Sequence, residues 1–343
     1  MPSDAKSRGS ARLKRETPRS SPVSTQAIDL AAALPPVLLS LRNPQADLPR
    51  IARDPELMAL IHDAVSRLPS DHRLYRGDAR EMSEIAPASI HLVLTSPPYW
   101  TLKEYRSHPG QLGHIGAYEH FLDELDKVWG RCFEALVPGG RLVCVVGDVC
   151  LSRRKNNGRH TVVPLHAAIQ ERCRAIGFDN LAPIIWHKIA NASYEVDGGG
   201  GFLGKPYEPN AVIKNDIEFI LMQRKPGGYR APELPARILS LLAEEEHRSW
   251  FQQIWTGLPG ASTRTHPAPF PLDLANRLVR MFSFVGDVVL DPFAGTGTTA
   301  VAAGLNGRNS ISYEIDPHYA TLAIARMRAE IGSLFADASI RVF

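Results

Sequence analysis

The 343 residues are 44% hydrophobic and 22% charged, a balance expected of a soluble chain with a substantial core, built as one large α/β domain with an insertion or as two domains. A net charge of only +3 excludes a uniformly basic nucleic-acid binder, so any such contact must come from local clusters. No uninterrupted apolar run approaches the roughly 18 residues of a membrane helix, and the basic start lacks the apolar core and cleavage-like site of a secretory signal.

Residues 1–25 scatter Lys6, Arg8, Arg12, Lys14, Arg15 and Arg19 among Ser, Pro and Thr, and read as a disordered basic tail. The spacing of Leu57, Leu60, Ile61, Val65 and Leu68 predicts an amphipathic helix over 54–68. A short strand over 73–78 ends in Gly77-Asp78, where Asp78 would cap a helix over 79–85. Next comes the apolar strand 90–94, stopped by Thr95-Ser96-Pro97-Pro98-Tyr99-Trp100. Two successive prolines fix φ and remove backbone donors, which leaves nearby carbonyls unclaimed by sheet or helix. With a serine hydroxyl before them and an aromatic plane after, these acceptors could hold a flat, amine-bearing group; a plain proline-terminated strand would read the same way.

A polar loop, 100–111, leads to a helix over 118–136 with apolar Phe121, Leu125, Val128, Trp129, Cys132 and Leu136, stopped by Pro138-Gly139-Gly140. The buried strand 141–148 ends in Asp148, a candidate proton acceptor near Ser96 or a simple loop cap. Arg153, Arg154, Lys155 and Arg159 then cluster on a loop suited to phosphate contacts. A helix over 162–176 and a strand over 181–188 follow. The strand 217–223 should pair antiparallel with the latter, across a glycine-rich segment, 191–215, too long for a tight hairpin. Between 227 and 264, Arg230, Arg237, His247, Arg248, Trp250, Trp255 and Arg264 interleave basic and aromatic groups, as base readout and wedging would use.

A helix over 272–282 leads into the strand 287–291 and the loop Asp291-Pro292-Phe293-Ala294-Gly295-Thr296-Gly297-Thr298-Thr299, then a helix over 300–305. A Gly-x-Gly turn after a parallel strand lets a ligand approach the backbone and a helix N-terminus. The strand 310–313 ends in Glu314, at the distance where such folds accept ribose hydroxyls, which favours an adenosine-containing cofactor. A helix over 319–331 closes the pattern. Cys132, Cys144, Cys150 and Cys173 have no Cys-x-x-Cys spacing; Cys144 reads as a small buried thiol, and neither zinc nor disulfides are expected in a reducing cytoplasm.

Ser96-Pro97-Pro98-Tyr99, the run Asp291 to Gly297, and His266-Pro267-Ala268-Pro269-Phe270-Pro271 together resemble motifs IV, I and X of the amino (exocyclic) DNA methyltransferases that use S-adenosylmethionine. Their order is the beta type, with the catalytic motif first, over residues 70–330. The resemblance implies an α/β, Rossmann-like class I methyltransferase with a mixed, mostly parallel seven-stranded sheet. Only two strands follow the recognition segment, so upstream strands must interleave with them in one sheet. The implied layout is a tail (1–25), a helical extension (26–72), a catalytic half (73–190), a target-recognition region containing one core strand (191–264) and a cofactor half (265–343).

By the same resemblance, Ser96, Pro97, Pro98 and Tyr99 are catalytic, with Asp148 beside them. S-adenosylmethionine would be held by Asp78 at the adenine, by Thr95, His266, Pro269 and Phe270, by Asp291, Pro292, Phe293, Ala294, Gly295, Thr296, Gly297, Thr298 and Thr299, and by Glu314. DNA would meet Arg153, Arg154, Lys155, Trp186, Lys188, Arg230, Arg248 and Arg264. Ser-Pro-Pro-Tyr in this family leans to N4 of cytosine and Asp-Pro-Pro-Tyr to N6 of adenine, the runner-up here. The base has to be flipped from double-stranded DNA to be reached. A companion restriction endonuclease, a monomer or homodimer and a cytoplasmic setting are the accompanying expectations. A nicotinamide oxidoreductase would leave Ser-Pro-Pro-Tyr idle and lacks its third glycine. A DNA-binding protein without catalysis should show a damaged motif, and an RNA or protein methyltransferase is the remaining alternative.

Overall fold

The computed structural model describes residues 28–39, 43–101, 106, 108–154, 156–188, 215–260, 270–332 and 338–343. Helix α1 (Pro44–Ala52) is followed by α2 (Pro55–Ser66), which Asp54 caps by accepting from Glu56 N and Leu57 N, with Pro55 in the first turn. Then come β1 (Ser70–Arg76), β2 (Ile90–Thr95), α3 (Tyr118–Ala135) and β3 (Leu136–Val146). A short hairpin, β4 (Val149–Leu151) with β5 (Thr161–Val163), precedes α4 (Leu165–Ile176), β6 (Asp179–His187) and β7 (Ile217–Arg224). After these lie α5 (Leu234–Leu239), α6 (Glu244–Trp250), β8 (Ile254–Trp255) and α7 (Leu272–Phe282). The remaining elements are β9 (Val288–Asp291), α8 (Thr298–Leu305), β10 (Asn309–Glu314), α9 (Pro317–Glu330) and β11 (Ala338–Val342).

Among the described residues nine strands form one sheet in the order β11-β1-β10-β9-β2-β3-β7-β6-β8. Every neighbouring pair is parallel except the two that β7 makes, with β3 and with β6. The seven expected strands are thus present, in the interleaved arrangement, with β11 and β8 added at the edges. Strands β2 and β3 read as continuous apolar runs because both faces are covered. Val93, Leu142 and Cys144 point to the side of α3 and α4, with Phe121, Trp129, Ile169 and Cys173. Leu92, Leu94, Val143 and Val145 point to the other, with Leu274 and Leu278 of α7 and Ala302 and Ala303 of α8. A separate cluster seats α1 and α2 on α5 through Ile51, Ile61 and Ile238.

Three local expectations give way. Residues 79–85 form turns rather than a helix, and Asp78 Oδ1 accepts from Arg80 N without starting one. Pro138-Gly139-Gly140 does not lie beyond a helix but within β3, which begins at Leu136 directly after α3; Gly139 N donates to Lys225 O and so extends the pairing with β7 by a residue. The helix expected from 162 starts at Leu165, because 161–163 pairs as β5. Cys132, Cys144 and Cys173 are buried free thiols and Cys150 is half-buried and free. No helix among the described residues is long and apolar enough to cross a membrane.

Candidate active site

Strands β2 and β9 are parallel neighbours, with Leu92 opposite Val289 and Val93 opposite Leu290, so their carboxyl ends deliver Ser96 and Pro292 side by side. Open α/β sheets place ligands in such a crevice. The ends are tied together: Thr95 Oγ1 donates to Asp291 Oδ1 at 2.7 Å, across 196 positions of sequence, and Phe293 N donates to the same oxygen at 3.0 Å. Asp291 is 1% exposed, and burial pushes its pKa up to about 6 against the bonds from Thr95, Thr299 and Phe293 N. Thr95 and Asp291 therefore brace the floor of the crevice and are themselves closed off from it.

Above them runs a narrow cleft lined by Gly77, Asp78, Ser96, Pro98, Leu112, Pro292, Phe293, Gly295, Tyr313, Glu314 and Tyr319. Gly295 and Gly297 have φ of +52° and +78°, and Gly297 is the N-cap of α8. A Cβ on Gly297 would also lie 3.2 Å from Ala323 Cβ, so glycine serves both the backbone conformation and the packing of α9. Glu314, at the end of β10, accepts from Gly295 N at 2.7 Å and from Asp316 N at 2.8 Å. Burial pushes its pKa up to about 7 despite these bonds. Asp78 borders the same cleft with its carboxylate gripped by Arg80, which also reaches Glu124; desolvation opposes these contacts, and the Arg80 bonds still hold the Asp78 pKa below its ordinary value.

Ser96 Oγ lies 3.3 Å from Tyr99 Oη, which in turn reaches Val145 O at 3.4 Å. Tyr99 is 5% exposed, so its ring does not stand free as a stacking platform; it fixes the wall behind Ser96. Gly147 makes room for it: a Cβ there would lie 3.5 Å from Tyr99 Cε2 and 3.3 Å from Glu218 Cγ. Pro97 is buried in the same turn. Trp100 follows with φ of +46°, an uncommon conformation for a bulky residue, held by its Nε1 donating to Ile115 O at 2.8 Å. Asp148 emerges just past β3, and its Oδ1 sits 2.6 Å from His166 Nδ1, whose ring stacks on Phe219 at 3.7 Å.

Other residues singled out in the sequence have side chains placed away from the cleft lining. Thr298 accepts from Arg326 and Thr299 donates to Leu94 O, so both buried hydroxyls turn away from the cleft. Ala294 is buried, Thr296 is half-buried outside the cleft lining, and Phe270 packs into the core beside α7. Trp186 is fully buried, its Nε1 donating to Leu258 O, which makes it core rather than a base contact. Lys188 Nζ is engaged by Glu218 Oε1 at 2.6 Å. Arg230 grips Asp287 with two bonds of 2.5 and 2.6 Å at the opposite end of the strands, just before β9 begins, and Arg248 lies near Glu244, which lines the cavity at that end. Arg153 and Arg154 are exposed in the turn between β4 and β5, beside the carboxyl end of β3. Lys155, Arg264, His266 and Pro269 lie outside the described residues. His166 and Glu218 are additions; His166 lies in the first turn of α4, and nothing local in the sequence aimed it at Asp148. Among the described residues no group of His, Cys, Asp or Glu could hold a metal ion.

The model of the DNA methylase family, the N6/N4 methyltransferases, matches residues 90–325, which includes both halves of this crevice. The chain belongs to the DNA methylase family. Among its relatives, the type II methyltransferase M.MjaI of Methanocaldococcus jannaschii is 38% identical over 277 residues, 72% of this chain and 88% of its own length. The type II methyltransferase M.MthZI of Methanothermobacter thermautotrophicus is 34% identical over 278 residues, 75% of this chain and 76% of its own. A Thermus thermophilus protein solved in complex with S-adenosyl-L-methionine superposes with a TM-score of 0.65 at 55% identity, covering 79% of this chain and 98% of that one. The PvuII DNA methyltransferase, described as cytosine-N4-specific, superposes with a TM-score of 0.53 at 17% identity over 80% of this chain and 98% of its own, a likeness of fold alone. This DNA methylase therefore has the α/β methyltransferase fold with a mostly parallel mixed sheet.

Proposed function

We propose that this DNA methylase transfers a methyl group from S-adenosylmethionine to the exocyclic N4 of a cytosine flipped out of double-stranded DNA. The observation that carries the reading is the meeting of Ser96 with the cleft of Gly295 and Glu314 at the adjoining ends of β2 and β9. The cleft suits the methyl donor: a carboxylate for ribose hydroxyls at Glu314, left-handed glycine backbone at Gly295 and Gly297, and apolar faces from Phe293, Leu112 and Tyr319. The T. thermophilus relative, solved with S-adenosyl-L-methionine at 55% identity, supports that choice. When bound, S-adenosylmethionine supplies a methyl group already activated by a sulfonium leaving group.

The chain's own residues then have to position an amine whose lone pair is delocalised into the base. Ser96 Oγ and the Pro97 carbonyl accept the two amine hydrogens, which favours pyramidalisation and frees the lone pair for in-line attack. Tyr99 holds Ser96 in place through their 3.3 Å contact. Serine is too weak a base to deprotonate the amine, so the proton leaves after transfer, to water or to Asp148 with His166 beside it. Ser96 rather than aspartate at the first motif position supports N4 of cytosine over N6 of adenine. The catalytic strand precedes the glycine loop in the chain, in keeping with the beta order. The type II names of the M.MjaI and M.MthZI relatives support a restriction-modification setting with a cognate endonuclease. The test is transfer of labelled methyl to duplex DNA by Ser96→Ala, which should fall about 100-fold, as for loss of one preorganised polar contact, with cofactor affinity unchanged. Full turnover in the variant would remove Ser96 from the reaction.

A further inference from the structure

A cavity of about 710 Å³ opens at the other end of the sheet from Ser96. His91, at the start of β2, and Arg141, midway along β3 and opposite Leu92 of β2, line it, so about five strand residues, or ~17 Å, separate it from the candidate active site. Its walls are largely apolar: Leu48 of α1, Leu241 and Leu242 between α5 and α6, and Met281 and Phe282 at the end of α7. Five arginines join them, Arg53, Arg141, Arg230, Arg237 and Arg280.

Three of these cations are already answered. Arg230 grips Asp287, Arg280 grips Glu246 with bonds of 2.5 and 2.6 Å, and Arg53 meets Glu244 at 2.9 Å. Arg141 and Arg237 have no carboxylate within 4.0 Å among the described residues. Arg237 is exposed, where water solvates it, whereas Arg141 is half-buried with its guanidinium 4.9 Å over the Phe282 ring. Desolvation, with Arg224 nearby, weakens its hold on the proton. An arginine at this depth stays charged, so a counter-ion is what the site lacks.

We propose that this cavity binds a small organic anion with a flat apolar body, its acid group paired with Arg141 and its body laid along Phe282, Met281 and Leu241. The planar guanidinium offers a two-pronged donor to a carboxylate, sulfonate or phosphate, and the volume lies within the range of sites that enclose drug-sized ligands.

The probe is 8-anilinonaphthalene-1-sulfonate, titrated into the full chain and followed by its fluorescence. One saturable site per chain is expected. Arg141→Met, which keeps an unbranched apolar stem against Phe282, should weaken binding about tenfold, and Arg141→Lys should restore part of it. Leu241→Trp, which fills the cavity and leaves the charge, should abolish binding, with circular dichroism confirming that each variant is folded. S-adenosylmethionine and duplex DNA should not displace the probe. Equal affinity in Arg141→Met, retained binding in Leu241→Trp, or displacement by the cofactor or by DNA would overturn the proposal.

Discussion

Replacing Asp291 by Asn should remove a penalty that the folded protein incurs as pH rises. Asp291 is 1% exposed, and its Oδ1 takes bonds from Thr95 Oγ1 and Phe293 N. Asparagine presents an oxygen at the same place, so both bonds can persist without a charge. Burial pushes the Asp291 pKa up to about 6, whereas in the unfolded chain an aspartate titrates near 3.9. The folded state therefore holds a proton that the unfolded state has lost between pH 4 and 6. Stability is highest below that window and falls across it, by about 3 kcal/mol for a difference of about two pK units at 1.36 kcal/mol each. Glu314, raised to about 7, acts with the same sign up to pH 7 and is present in both proteins. The assay is urea unfolding at a series of pH values from 4 to 7.5. Asp291→Asn should gain about 3 kcal/mol relative to the parent across the series. Parallel pH profiles would refute the claim that burial, rather than the hydrogen bonds it receives, governs this carboxyl.

Gly297→Val should lower the unfolding midpoint, since a left-handed φ costs a side chain about 1–2 kcal/mol before the contact with Ala323 is counted; an unchanged midpoint would mean the loop can relax. Arg230→Met strands the buried Asp287 carboxylate and should cost about 3–5 kcal/mol of stability with DNA affinity unchanged in the folded fraction; weaker DNA binding at unaltered stability would contradict its placement. Arg153→Ala with Arg154→Ala should weaken binding to all duplexes alike and flatten the salt dependence by about two phosphate contacts, as read from affinities at several salt concentrations; a selective loss on one sequence would indicate base readout instead.

What the sequence made legible was local or carried by a run of residues. The aliphatic strand into Ser96, the strand into Asp291 and the short strand into Glu314 each announce themselves, and all three ends meet at the crevice. The antiparallel pairing of β6 with β7 followed from two apolar runs and the order of the chain. Illegible features depend on partners far away in sequence. Arg230 in a basic, aromatic stretch looks like a DNA contact until Asp287 is seen against it, 57 positions on. Trp186 looks equally available until Leu258 covers its indole nitrogen. Thr95 and Asp291 sit inside motifs whose neighbours face the cleft, yet they spend their polar groups on each other. Helix α1 was hidden by the proline within it, Pro49, and the three-residue strands β4 and β5 are too short to carry a period.

The central claim is tested most directly by mass spectrometry of nucleosides from duplex DNA incubated with the full chain and methyl-labelled S-adenosylmethionine, with Ser96→Ala run in parallel. Labelled N4-methylcytosine, lost in the variant, is the result expected. Labelled N6-methyladenine would keep the fold and the placement of Ser96 while contradicting the base, and the absence of any labelled base would contradict the proposed reaction itself.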